Sequence, residues 1–127
     1  MQAIAFINEK SELLTNNVNQ FLMHKTSYKE LSNLVWDVLQ DWQSLDVVDE
    51  KVSNEKEQIF WFLIFELHYW GEEKLASDIK LRKNLYNCAL YLEREQDLPK
   101  NCIGLRPNRL VSEEHSTSME QDIVTSR

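Results

Sequence analysis

Ile59-Phe60-Trp61-Phe62-Leu63-Ile64-Phe65-Glu66-Leu67-His68-Tyr69-Trp70 is apolar on nearly every face when wound as a helix. A helix with no wet side belongs in the middle of a packed body. A buried strand is the competing assignment, because aromatic residues favour strands as well. The apolar content runs past eight residues without turn chemistry to divide it, so helix is the expectation. Its start is expected near Asn54, with Glu57 three residues on as a capping signal. Ile59, Phe60, Leu63, Leu67 and Trp70 then share one face, and Trp61, Phe62, Phe65 and Tyr69 share the other.

Upstream, Ser27-Tyr28-Lys29-Glu30 is a capping box, in which the serine oxygen accepts a free amide and Glu30 reaches back. Leu31, Leu34, Val35, Val38, Leu39 and Trp42 follow at helical spacing and give one apolar stripe. A first helix is expected from about residue 3 to residue 23, with Ile4, Ile7, Leu14, Val18, Phe21 and Leu22 inward. Downstream, Gly71 ends or kinks the aromatic helix, and Glu72 to Ala76 continue or restart it. Ser77 or Asp78 then caps a further helix with Ile79, Leu81, Leu85, Cys88, Ala89 and Leu92 on its stripe. That helix stops before Pro99, since the residue preceding a proline avoids the helical region.

The fold expected is all-α: a compact bundle of four to five helices around the aromatic one, within a single domain over residues 1–111. Residues 98–111 (LPKNCIGLRPNRLV) carry Pro99, Gly104 and Pro107 and read as an extended arm, with Ile103, Leu105 and Leu110 pinning it back across the helices. Lys100, Arg106 and Arg109 meet no acid within this stretch, and pairing with acidic helices of the same chain is the plain reading. A contact of its two arginines with an outside anion is the alternative. Residues 112–127 are polar without a core pattern and read as a disordered tail.

The chain has 127 residues, enough to bury a core without disulfides or metals. Twenty-one acids against fourteen bases give a net charge of −7. That sign opposes direct nucleic-acid binding and attracts basic partners, although plain solubility is the simpler explanation. The longest apolar run, Ile59 to Phe65, is seven residues, against the roughly 20 that a membrane span needs. The opening MQAIAFINEKSELL has neither a basic start nor a long apolar stretch, so a cytoplasmic location is the expectation.

Chemistry-bearing groups are sparse. His24, His68 and His115 are far apart, and the i, i+4 pair His68 and Glu72 spans Gly71 with no second pair to complete a metal site. Cys88 falls on an apolar stripe, where burial raises a thiol's pKa. Cys102 lies in the looser arm beside Lys100 and is the more reactive candidate. The pairs Glu72-Glu73 and Glu113-Glu114 read as helix-start charge and as tail. No cofactor or metal is expected, and a small enzyme using Cys102 or His68 is the weakest reading.

Aromatics are the better signal. Trp36 falls about 130° from the centre of its helix's stripe. Exposed apolar patches mark interfaces, and tryptophan and tyrosine dominate binding energy. In size and character the chain resembles immunity or inhibitor proteins for bacterial toxins such as nucleases: short, acidic, helical and without cofactor motifs. That resemblance implies a non-enzymatic protein that binds a basic toxin or other macromolecule. Asp37, Asp41, Asp46, Asp49 and Glu50 would form its negative face, with Trp36 as an anchor. The alternative is a helical adaptor or homodimeric scaffold using Trp61, Phe65 and Tyr69 on the far face of the aromatic helix.

Overall fold

The computed structural model describes residues 3–45, 54–94 and 97–107. Five helices account for most of them: α1 (Ala3–Leu22), α2 (Tyr28–Gln43), α3 (Glu55–Tyr69), α4 (Glu72–Ser77) and α5 (Ile79–Arg94). No strand occurs among the described residues. The all-α bundle expected from the sequence is the fold observed. Residues 108–127, including Arg109, Leu110 and the predicted tail, lie outside the described residues, as do Asp46, Asp49 and Glu50.

Side-chain caps set the helix starts. Ser27 is extended and its Oγ accepts from the Glu30 amide at 3.1 Å. The other half of the expected capping box differs: Glu30 accepts from the Thr26 hydroxyl instead of reaching the Ser27 amide. At α3, Asn54 Oδ1 accepts from the Glu57 amide at 2.8 Å. At α5, Asp78 Oδ1 accepts from the Leu81 amide at 2.9 Å. Each cap satisfies an amide that has no partner within its own helix.

Helix ends are managed without glycine at the left-handed position. After α1, His24 takes φ 61° while its amide donates to Phe21 O at 3.0 Å and the Lys25 amide donates to Gln20 O at 2.7 Å. This is the Schellman arrangement, with histidine where glycine is usual. Arg82 adds to this end and closes another: its guanidinium donates to Leu22 O at 2.7 Å and to Leu75 O at 2.9 Å. One side chain thereby fastens the exits of α1 and α4 to α5.

Trp61 lies at the centre of the core. Its ring is edge-on to Trp42 at 5.2 Å and to Phe60 at 4.9 Å. It lies nearly parallel to Phe6 at 6.4 Å and to Phe65 at 6.1 Å. Trp61 is 0% exposed, which takes it off the outward face that the adaptor alternative gave it. Phe6 of α1 and Trp42 of α2 pack on the ring, and the arm covers the α3 backbone beside it. Residues 102–107 run extended across α3, and the Gly104 amide donates to Gln58 O at 2.9 Å. A Cβ on Gly104 would stand 2.2 Å from the Phe62 nitrogen and 2.5 Å from the Trp61 carbonyl carbon. Only glycine lets backbone approach helix backbone so closely.

The arm packs back as expected, but on the other set of side chains. Cys102 and Gly104 are buried, whereas Ile103 is 64% and Leu105 75% exposed. In extended chain neighbouring side chains point oppositely, so the close approach of Gly104 turns both aliphatic residues outward. Ile79 is also corrected: it precedes the first turn of buried contacts on α5 and is 83% exposed. Ile4 is exposed on α1, where Ala3 and Phe6 are buried instead.

Candidate functional site

Two arrangements stand out: a buried polar knot under the arm, and an aromatic patch on the outside of α2 and α3.

The knot centres on Glu57. The Asn54 cap fixes its backbone, and its carboxylate turns under the arm, where Glu57 is 3% exposed. Arg106 grips both oxygens, with Nε donating to Oε2 at 2.6 Å and Nη2 donating to Oε1 at 2.9 Å. Trp61 Nε1 also donates to Oε2, at 3.1 Å. The guanidinium lies 5.5 Å from the Trp42 ring centre, and Trp42 Nε1 donates to Pro107 O at 2.9 Å. A bidentate pair of this kind fixes orientation as well as charge. Arg106 thus pairs with an acidic helix of its own chain. In the sequence Glu57 marks only a helix start. The i, i+4 spacing from Glu57 to Trp61 was the available hint that this carboxylate has an inward partner.

The thiols are structural in character. Cys102 is buried, and its Sγ donates to Lys100 O at 3.3 Å, so its expected position in a loose, accessible segment is corrected. Burial pushes the Cys102 thiol up, and it pushes Cys88 further, with Cys102 beside it adding to the rise. Raised thiols are poor nucleophiles near neutral pH. No group of three or more His, Cys, Asp or Glu side chains among the described residues could hold a metal ion. No helix among them is long and apolar enough to cross a membrane.

On the outside, Trp36 is 52% exposed and edge-on to His68, with ring centres 5.0 Å apart. Tyr69 is equally exposed and edge-on to Trp70 at 4.6 Å. Phe65 is half-buried, and together with His68 and Tyr69 it shares a face of α3 at i, i+3 and i+4. The structure therefore joins Trp36 from α2 to the last turn of α3, a pairing that spacing within one helix could not reveal. Trp61 has no part in this surface.

Charge is distributed differently from the aromatics. Asp37 is exposed next to Trp36 and makes no ion pair among the described residues. Asp41 is paired with Lys10 at 2.7 Å. Residues 46–53, 95–96 and 108–127 hold eight of the 21 acids but only three of the 14 bases. The described bundle thus carries 13 acids against 11 bases, so most of the net charge lies elsewhere in the chain.

Comparison of the chain with protein-family models, with curated proteins and with solved structures found no match.

Proposed function

We propose that this chain is a non-enzymatic binding protein that engages a basic macromolecule, most simply as an inhibitor of the immunity type. The observation that carries the reading is the half-exposed Trp36 indole set edge-on against His68, with Asp37 beside it and Tyr69 one residue further on α3. A large ring held at the surface by a second ring is already ordered, so covering it with a partner costs little conformational entropy. Rings of this kind act as anchors in interfaces. The net charge of −7 supplies long-range attraction for a basic partner, and Asp37 supplies local polarity at the anchor.

The test is affinity capture from the native host at low and high salt with wild-type chain, Trp36→Ala and Asp37→Lys. The reading expects a basic protein that binds wild type, weakens as salt rises, and is lost with both variants. Trp36 and Asp37 are exposed, so neither change disturbs the core. Equal capture by all three chains would exclude this face as the binding surface.

A further inference from the structure

A second surface, built from other residues, holds a polar cleft of about 610 Å³ where α1 meets the start of α3 and the end of α5. The volume falls in the range of small-molecule sites, roughly 300–1,000 Å³. Ser11 lines it, is 4% exposed, and its Oγ has no hydrogen-bond partner. Buried hydroxyls without partners are uncommon in folded proteins, and each calls for a reason. The Oγ is itself covered, so meeting an occupant of the cleft requires a turn about serine's single side-chain bond.

The remaining lining sets the chemistry of an occupant. Lys56 donates to Asn8 Oδ1 at 2.8 Å, which leaves the Asn8 amide nitrogen to donate outward. Thr15 donates to Glu12 O at 3.2 Å, so its oxygen keeps capacity to accept. Glu12 and Glu93 add carboxylates, and the exposed Leu13 adds an apolar surface. Donors and acceptors both line this wall. An anion would meet two carboxylates, and a cation would meet Lys56. A neutral group that both donates and accepts meets neither penalty. Hydroxyl groups have that property, and the carbon face of a sugar ring suits Leu13. We propose that this cleft binds a neutral polyhydroxylated small molecule, a sugar of one or two rings.

The inference is independent of the α2–α3 patch. The test follows backbone amide shifts of the full-length chain during titration with maltose, cellobiose, trehalose and diacetylchitobiose. Glycine, inorganic phosphate and spermidine serve as zwitterionic, anionic and cationic probes. Saturable shifts along residues 8–15 and at Glu93 are expected with at least one disaccharide. Ser11→Ala should weaken that binding by roughly tenfold, the scale of one lost hydrogen bond, while leaving the sugar-free melting temperature unchanged or higher. Glu93→Gln, at an exposed position, gives a second variant that keeps the fold and weakens the sugar. No saturable shift with any disaccharide, shifts only with a charged probe, or equal binding by Ser11→Ala would overturn the proposal.

Discussion

Glu57 shows how one residue can serve two purposes that a sequence reveals unequally. Its position three residues after Asn54 marks a helix start, and the observed cap agrees. Its side chain, however, is taken by Arg106, which lies 49 residues further along the chain. Local spacing carries no record of such a distant partner. The arginine was more legible, because three bases without a nearby acid must find their countercharge elsewhere. Burial decides the energetics here. Arg106→Met would leave the Glu57 carboxylate under the arm with only the Trp61 N–H, and an unpaired buried charge is strongly unfavourable. We expect a loss of about 3 kcal/mol in urea unfolding. A loss under about 1 kcal/mol would mean the pair behaves like a solvated surface bridge.

At the scale of elements, capping chemistry was the most legible feature. Ser27, Asn54 and Asp78 each begin a helix as the sequence indicates, since a cap depends on residues three apart. The inward face of the arm was not legible. Reading Ile103 and Leu105 as the inward pair follows hydrophobicity, yet the backbone contact at Gly104 sets the parity and turns them out. In an extended segment a shift of one residue exchanges the two faces. Asp78 supplies a pH test. The Leu81 amide, followed by Lys74, holds its carboxyl below the ordinary value of 3.8. The ionised form is therefore the one that favours the fold. Its contribution is complete above the ordinary carboxylate range and is lost as pH falls through the lowered folded-state pKa. Asp78→Asn should be less stable than wild type at neutral pH in urea melts, and the two should converge in strong acid. A gap that stays constant down to strong acid would show that the charge of Asp78 plays no part.

For the molecule as a whole, the aromatic run explains why α3 needs cover on every side. Three helices cover part of it, and the arm closes the rest over Trp61 and Phe62. Trp61 is enclosed by Phe6, Trp42, Phe60 and Phe65, and the exposed aromatic surface of α2 and α3 is Trp36, His68 and Tyr69. The sequence made the bundle and its central helix legible because apolar periodicity is a property of each segment alone. It could not show which segment covers which, because that depends on contacts between distant residues such as Gly104 and Phe62. The most direct measurement is urea unfolding of Gly104→Ala, followed by tryptophan fluorescence, beside Leu105→Ala as a solvent-facing control. If the arm is a wall of the core, Gly104→Ala loses about 3 kcal/mol or more, because backbone atoms of α3 cannot yield to a methyl group. Leu105→Ala then stays within about 0.5 kcal/mol of wild type. A Gly104→Ala chain as stable as wild type would contradict the arm's place over α3 and its part as a wall of the core.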